Sequence, residues 1–179
     1  MLRITIPGGD MFDERNNKFK RIKGQTIELE HSLISISKWE SKWKKAFLSH
    51  ATRTEDEIRD YVRCMTITPD VNPDLYYCLT VENIQMIQLY IDDSMSATTF
   101  RGTNKPKGAP APKTSEQIYG AMVALGIPFE CQKWHLNRLL TLIHECEILN
   151  DGGKMSRKDS AKYMSQVNAM RRAKHHSRG

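Results

Sequence analysis

The feature that most constrains the fold of this chain is a long run of regularly spaced apolar residues that begins at Ile127. The apolar side chains recur three and four positions apart, as they do along one face of a packed α-helix. They are Phe129, Leu136, Leu139, Leu140, Ile143, Cys146 and Ile148. Pro128 suits a first helical turn, where a missing N–H group loses no partner, and Gly152 and Gly153 suit a stop. The pattern predicts one long helix over residues 128–150 that packs against a core.

The composition is that of a chain that folds in water around one core. It has 179 residues, 39% hydrophobic and 27% charged, which is enough for one domain with an appendage. The longest apolar runs fall far short of the roughly 20 residues needed to cross a bilayer, and the N-terminus lacks the apolar stretch of a signal peptide. We therefore expect no membrane contact, and a location in a cytoplasm or in an assembled particle.

The cysteines do not form a recognisable metal or redox motif. No two of Cys64, Cys78, Cys131 and Cys146 have the spacing of a C-x-x-C pair. An intracellular chain usually keeps isolated thiols reduced. We expect four small buried side chains, and we predict no cofactor.

Basic residues are concentrated in the C-terminal tail, residues 154–179. This tail contains one acid, Asp159, and eight basic residues: Lys154, Arg157, Lys158, Lys162, Arg171, Arg172, Lys174 and Arg178. It carries +7, so the whole-chain charge of +6 leaves −1 for residues 1–153. Such a tail attracts nucleic acid, an acidic membrane surface or an acidic protein. A thin apolar stripe over residues 157–172 predicts a helix that orders only on a partner.

The β-structure is predicted near the N-terminus, within residues 1–36. Two sets of apolar residues alternate with polar ones there: Leu2, Ile4 and Ile6, then Ile27, Leu29 and Leu33. Alternation with a period of two is typical of strands that bury one face. We expect two antiparallel strands, joined by the polar insert between them as a hairpin loop.

Helices are predicted from N-terminal capping signals, in which a hydroxyl side chain accepts a hydrogen bond from the first turn of the helix. Four helices follow such signals: residues 38–48 after Ser37 with Glu40, 55–65 after Thr54 with Glu57, 81–93 after Thr80, and 115–125 after Thr114 with Gln117. A short helical turn is also predicted over residues 74–78.

The predicted fold is mainly α with a small N-terminal antiparallel β element, in a single helical domain with a basic C-terminal tail. We divide the compact domain, residues 1–153, as follows: a β element in 1–36, helices in 37–100, a flexible basic loop in 101–113 and a helical pair in 114–150. The loop contains three prolines, two glycines and four basic residues, without an acid.

Cys131, His135, His144 and Cys146 are the residues most typical of a metal site. On one helix, Cys131 and His135 would share a face because they are four residues apart. His144 would lie about half a turn out of phase with His135, and Cys146 roughly 22 Å from Cys131. One ion could not contact them all, so we predict no metal site. A catalytic pair of Cys131 with His135 is also disfavoured, because residues four apart are common by chance.

Trp39 and Trp43 are four residues apart in a lysine-rich segment. On one side of a helix they would form an aromatic platform flanked by lysines, which is typical of surfaces that bind single-stranded nucleic acid. We favour the alternative, in which both indoles pack onto the sheet and the lysines stay in water. The candidates for a partner or nucleic-acid surface are these two tryptophans and the tail residues Lys154, Arg157, Lys158, Arg171, Arg172, Lys174 and Arg178.

Three stretches resemble a family of small proteins of tailed bacteriophages: residues 29–43 (LEHSLISISKWESKW), residues 61–68 (YVRCMTIT) and the segment from Ile127. The similarity runs nearly end to end and includes the basic close of the chain. The resemblance implies a product of the structural gene module that acts as a tail assembly chaperone. Such a chaperone coats the tape measure protein and delivers it to polymerising tail tube subunits. The resemblance implies no catalytic motif.

The sequence therefore favours a non-enzymatic phage assembly protein that acts in the host cytoplasm, binds tape measure and tail tube proteins, and has amphipathic helices suited to binding another helix. An oligomer is compatible with this role. Two alternatives stay open. One is a structural component of the virion, at the tail or the head–tail joint, and the other is a nucleic-acid-binding protein that acts through the basic tail.

Overall fold

The computed structural model describes residues 1–13, 16–49, 52–98 and 114–151. The strands are β1 Leu2–Ile6, β2 Gly9–Asp13, β3 Lys18–Ile22 and β4 Gln25–Leu29. The α-helices are α1 Leu33–Trp43, α2 Glu55–Met65, α3 Val81–Asp92, α4 Ser115–Ala124 and α5 Leu136–Asp151. Short 3₁₀ helices cover Pro73–Cys78 and Phe129–Lys133. The prediction of a mainly α fold with a small N-terminal antiparallel β element is confirmed.

Strands β1 and β4 pair antiparallel, as predicted, with Ile4 opposite Ile27. The inward side chains of this ladder are each at most 2% exposed: Ile4, Ile6, Ile27 and Leu29. The other face is polar, and the hydroxyl oxygens of Thr5 and Thr26 lie 2.9 Å apart on it. The alternation in the sequence therefore specified which face of the ladder is buried.

The insert between β1 and β4 was predicted as a hairpin loop, and that prediction is wrong. It forms a second antiparallel ladder of β2 and β3, in which Phe12 lies opposite Phe19 with ring centroids 5.2 Å apart. Cross-strand aromatic pairs stabilise such ladders. The strand alternation also ended earlier than predicted, because Leu33 is the first residue of α1.

Gly8 and Gly24 form a waist between the two ladders. A Cβ atom on Gly8 would lie 2.3 Å from the Ile22 carbonyl oxygen and 2.7 Å from the Gly24 nitrogen. A Cβ atom on Gly24 would lie 2.7 Å from the Gly8 nitrogen. These distances are too short for any side chain, so the backbones can approach only because both residues are glycine.

The helix predicted over residues 38–48 is instead α1, which begins at Leu33. Its N-cap is Ser32 rather than Ser37. The Ser32 hydroxyl accepts a hydrogen bond from the Ser35 N–H at 3.3 Å, and the Ser35 hydroxyl accepts one from the Ser32 N–H at 3.0 Å. Ser37 therefore lies inside the helix, and the predicted start was wrong.

Tertiary packing explains the earlier start of α1. Leu33 and Ile36 are both 0% exposed, so the first turn of the helix belongs to the core. Glu40, which the sequence assigned to capping, is buried at 7% exposure. Its carboxylate accepts hydrogen bonds from the Phe47 N–H at 2.7 Å, the Ser115 N–H at 2.8 Å and the Ser115 hydroxyl at 2.5 Å. Glu40 thereby ties α1 to the start of α4.

The other three capped helices begin where the sequence predicted. The hydroxyls of Thr54, Thr80 and Thr114 accept hydrogen bonds from the third residue of α2, α3 and α4. The side chains of those third residues return a hydrogen bond to the cap: Glu57, Asn83 and Gln117. The 3₁₀ helix Pro73–Cys78 covers the predicted short turn. These signals are local, so their outcome depends little on distant packing.

The residues that follow α2 pair with the free edge of β4. The Glu30 N–H donates to the Met65 carbonyl at 2.9 Å, and the Ile67 N–H donates to the Glu28 carbonyl at 2.8 Å. This pairing attaches the end of α2 directly to the β element.

The single long helix predicted over residues 128–150 is wrong. The chain forms the 3₁₀ helix Phe129–Lys133, then an extended link at Trp134 and His135, and then α5. Of the residues assigned to its buried face, Leu136, Leu139 and Ile143 are at most 5% exposed. Two others face outward: Phe129, 52% exposed, and Ile148, 42% exposed.

The extended link is held by the turn between β4 and α1. The Leu136 N–H donates to the His31 carbonyl at 2.7 Å, and Ser32 and His135 form an isolated antiparallel bridge. This backbone pairing stops the helical pattern before α5. The sequence could not indicate it, because the two partners are about a hundred residues apart.

The chain divides into two compact units, Met1–Ile143 and His144–Gly179. The second unit is described only as far as residue 151, as helix, with an ion pair between His144 Nδ1 and Glu147 Oε2 at 3.6 Å. In the described ranges, no helix has both the length and the apolar character needed to cross a membrane.

We expect Gly8→Ala to lower the free energy of unfolding by about 1–3 kcal/mol, because the added Cβ collides with backbone that cannot move aside. Urea denaturation provides the measurement. Gly120→Ala is the matched control, since a Cβ atom added at Gly120 would have nothing within 4 Å. That change should stabilise α4 by about 0.5–1 kcal/mol. If both changes alter the free energy of unfolding equally, the close approach of the backbones at Gly8 and Gly24 is contradicted.

We expect Ser32→Ala to destabilise the protein by about 1 kcal/mol, because it removes the N-cap of α1. Ser37→Ala should change the stability by less than about 0.5 kcal/mol, because Ser37 lies inside the helix. Thermal or urea unfolding of both variants tests the corrected helix start. A larger loss for Ser37→Ala than for Ser32→Ala would restore the start predicted from the sequence.

Candidate functional site

Trp39, the first aromatic candidate, is part of the core. Its side chain is 1% exposed, and its indole N–H donates to the Glu57 carbonyl at 2.9 Å. Its ring meets Phe47 edge-on with centroids 5.2 Å apart. Trp39 therefore fastens α1 to α2 and has no free ring face for a nucleobase.

Trp43, the second aromatic candidate, is partly exposed, but its polar group is engaged. The indole N–H donates to Asp60 Oδ2 at 2.8 Å, and Lys42 and Arg63 each donate to Asp60 Oδ1 at 2.8 Å. Burial pushes the pKa of Asp60 upward, but the hydrogen bonds from Lys42, Arg63 and Trp43 lower it below its ordinary value. Asp60 therefore stays an anion that holds α1 and α2 together.

Two of the lysines beside the indoles pair with carboxylates of α2. Lys42 pairs with Asp60, and Lys45 pairs with the carboxylate of Glu57, which is 1% exposed. The hydrogen bond from Lys45 lowers the pKa of Glu57. The alternative we favoured is therefore wrong in part: Trp39 is buried, but both indoles donate to α2 and not to the sheet, and Lys42 and Lys45 are paired with carboxylates.

The other candidates lie outside the described residues: Lys154, Arg157, Lys158, Arg171, Arg172, Lys174 and Arg178. The flexible loop predicted over residues 101–113 lies outside them as well. Both assignments stay predictions from the sequence.

Cys131 and His135 do not share a helical face, because the first lies in a 3₁₀ helix and the second in the extended link. The premise of one continuous helix was therefore wrong. His135 Nδ1 accepts the Asn137 N–H at 3.3 Å, which places the ring proton on Nε2, 2.9 Å from the Tyr90 carbonyl oxygen. Within the ranges that the structure describes, no group of three or more His, Cys, Asp or Glu side chains could hold a metal ion.

His31 is the centre of a buried polar cluster that the sequence did not identify. The side chain is 2% exposed, and its Nδ1 lies 2.5 Å from the Tyr61 hydroxyl. That hydroxyl lies 3.3 Å from the hydroxyl of Ser35, and the His135 ring stands edge-on to His31 with centroids 5.1 Å apart. The cluster joins the β4–α1 turn to α1, α2 and the extended link. A histidine after a predicted strand carries no local signal of such a role.

Burial controls the ionisation of this cluster. It lowers the pKa of His31 to about 3, with a smaller contribution from the nearby His135. It also raises the pKa of Tyr61 well above its usual range. At neutral pH the pair of His31 and Tyr61 is therefore uncharged and held by an internal hydrogen bond.

Large apolar side chains are exposed on α3 and in the turn before it. Val81 is 69% exposed, Met86 45% and Leu89 73%, and Tyr77 just upstream is 62% exposed. Val81 and Leu89 are two turns apart, and Met86 is one turn from Leu89, so all three side chains lie on the outer side of the helix. We call these three residues the outer α3 face. Contiguous exposed apolar patches mark interaction sites, whereas single exposed apolar residues are common on any protein surface.

Two concave surfaces occur among the described residues. One, of about 350 Å³, lies over the polar face of the β1–β4 ladder and includes Arg3, Glu28 and Thr68. Another, of about 490 Å³, follows the glycine waist between Gly8 and Gly24. Both are wide open to solvent, so neither encloses a small molecule in the way that ligand pockets do.

No family model matches the chain, and no curated protein or solved structure is significantly similar to it. The geometry of the described residues is therefore the basis for a functional proposal, and the resemblance of the three sequence stretches stays an expectation.

We expect acid to destabilise the protein through His31. In the unfolded chain this histidine binds a proton at its ordinary pKa of 6.5, but in the folded protein only at about 3. The unfolded state therefore binds more protons, so stability that is complete above pH 6.5 is lost as the pH falls toward 3.

Urea unfolding of the chain and of His31→Gln checks this expectation. Between about pH 7 and about pH 5, the free energy of unfolding of the unmodified chain should fall by about 2 kcal/mol more than that of His31→Gln. The reason is that uptake of one proton on unfolding lowers this free energy by about 1.4 kcal/mol for each pH unit. The window stays above the ordinary pKa values of carboxylates. Parallel pH profiles for the two proteins would contradict the prediction.

Proposed function

We propose that this chain is a non-enzymatic bacteriophage assembly protein, specifically a tail assembly chaperone that binds tape measure and tail tube proteins in the host cytoplasm. The resemblance of residues 29–43, residues 61–68 and the segment from Ile127 to a phage protein family supports the phage assignment. The outer α3 face is the observation that carries the binding role.

An assembly chaperone must present apolar surface that a client can cover and later release. Leu89 and Met86 supply such surface, and the flexible thioether of methionine adapts to imperfect partners. The fold does not need these side chains for its own core, because Ile87 and Tyr90 on the inner side of α3 are already buried. The outer α3 face can therefore exchange water for a partner without unfolding the helix.

The polar groups of the core support the same proposal. Among the described residues, every buried side-chain nitrogen and oxygen has a hydrogen-bond partner within the protein. The buried histidines, tyrosines and carboxylates thus contribute to folding, and the exposed apolar groups are what the surface offers to a partner. The +7 charge of the tail keeps nucleic-acid binding as the second candidate function.

A pull-down from phage-infected cells tests the chaperone role, with the tagged full chain as bait. We expect it to recover the tape measure protein, the tail tube protein or both. An unrelated bait of similar size and charge controls for capture by the basic tail. Recovery of neither protein would contradict the proposal.

Mass spectrometry of purified virions separates the two structural roles. A chaperone that leaves before maturation should be absent from the particles. Stoichiometric presence of the chain would instead make it a component of the tail or of the head–tail joint.

A further inference from the structure

We propose that the outer α3 face is a docking surface for a basic amphipathic helix of a partner protein. This inference rests on the proposed function, because it names the surface and the chemistry of the client segment that the chaperone would bind. Three features of the described residues carry it: the fixed inner side of α3, the apolar outer side, and the sign of the charged residues that α3 and its neighbours in sequence contribute.

The inner side of α3 is anchored independently of the outer α3 face. The Asn83 amide donates to the Thr5 carbonyl at 3.2 Å, and the Asn137 amide donates to the Ile91 carbonyl at 2.9 Å. The Tyr90 hydroxyl donates to Glu30 at 2.7 Å. These contacts hold the helix in place before any partner binds, so little ordering cost remains for the association.

The outer side matches the contact stripe of a second helix. Val81 and Leu89 are eight residues apart, which is about 12 Å along the helix axis, and Met86 lies one turn before Leu89. A partner helix of similar length can lay its own apolar residues along this stripe at three- and four-residue spacing. A row of exposed side chains along one helix suits a second helix more than a small molecule, because small molecules bind in concave pockets.

The charged residues that α3 and its neighbours in sequence contribute have one sign. Residues 64–98 contain no lysine or arginine, whereas they contain five acids: Asp70, Asp74, Glu82, Asp92 and Asp93. Lys20 neutralises Asp74 at 2.6 Å. Glu82 lies between Val81 and Met86 around the helix. Hydrogen bonds from its own backbone N–H and from the Thr80 side chain lower the pKa of its carboxyl group. A partner with lysines or arginines beside its apolar stripe is therefore attracted, and an acidic partner or a nucleic acid is repelled.

Helix α2 provides a contrast within the same protein. Its outward acids are already paired, because Arg59 contacts both Glu55 and Asp56 at 3.1 Å. Only Ile58, 39% exposed, is a large apolar residue on that side. The outward side of α2 is thus polar, and Arg59 offsets one of its two carboxylates, so it offers a partner little apolar area.

Binding of synthetic peptides to the full chain tests the surface. The probe is a fluorescent helical peptide of about 18 residues, made of leucines on one side and lysines on the other. A second peptide has glutamate at every lysine position, with the leucines unchanged. We expect the basic peptide to bind at least about tenfold more tightly, and its affinity to fall with added salt.

Matched variants locate the site. Met86→Ser with Leu89→Ser should weaken the basic peptide at least about tenfold, because it removes most of the apolar contact area. Val123→Ser, at an equally exposed apolar position on α4, should leave the affinity unchanged. Glu82→Gln with Asp92→Asn should reduce both the affinity and its salt dependence. All these positions are exposed, and circular dichroism with a thermal melt checks that each variant is folded.

Each other outcome overturns the inference. If the acidic peptide binds as tightly as the basic one, the partner is not selected by charge. If the basic peptide binds the Met86/Leu89 double variant as tightly as the unmodified chain, the outer α3 face is not the binding site. If the full chain self-associates and the double variant does not, the occupant is a second copy and not a separate partner.

The proposed function and this inference fail separately. If peptide binding depends on Leu89 but the pull-down recovers no tail protein, the docking surface is supported and the tail chaperone role is contradicted. If the double variant recovers a tail protein as well as the unmodified chain does, the chaperone role is supported and the outer α3 face is not its binding site.

Discussion

The end of strand β4 is hydrogen-bonded to two segments that are distant in sequence, and the rest of the fold depends on this junction. On one side the Glu30 N–H donates to the Met65 carbonyl, which attaches the end of α2. On the other the His31 carbonyl accepts from the Leu136 N–H, which attaches the start of α5. The Ser32 hydroxyl caps α1 in the next residue. One short stretch of backbone thus sets where three helices begin or end.

Such a junction buries polar groups, and burial is costly unless each group is paired. The protein meets this requirement with internal partners: His31 with Tyr61, Glu57 with Lys45, and Asp60 with three donors. Side chains that resemble catalytic or metal-binding residues in the sequence are therefore held in the interior. The apolar side chains of α3 are the opposite case, since they are exposed although the hydrophobic effect favours their burial. The docking surface proposed for α3 would account for this exposure.

The parts of the fold that were predictable are those with local causes. The capping residues Thr54, Thr80 and Thr114 need only the first turn of their own helices, and all three helices start as predicted. The alternation around Ile4 and Ile27 needs only one buried face. Ser37 misled the prediction because it has the right residue three positions later, yet Glu40 contacts the backbone of Phe47 and Ser115 instead. A capping motif cannot show that its acidic residue has a stronger distant partner.

The candidate site was less predictable than the fold. Periodicity identifies α3 as a helix, but residues such as Val81, Ile87 and Leu89 place apolar groups on both of its sides. Which side is inward depends on the contacts of Asn83 and Tyr90 with the β element. Trp39 and Trp43 were visible as a pair in the sequence, but their exposure depended on the packing of α2.

The sequence by itself determined the fold class, the strand faces and three helix starts, because these follow from short-range patterns of side chains. Tertiary structure alone decided the start of α1, the break before α5, the burial of His31 and His135, and the direction in which α3 faces. The physical reason is the same in each case. A backbone or side-chain hydrogen bond to a residue far along the chain outweighs the local preference, and its partner cannot be read from the neighbouring letters.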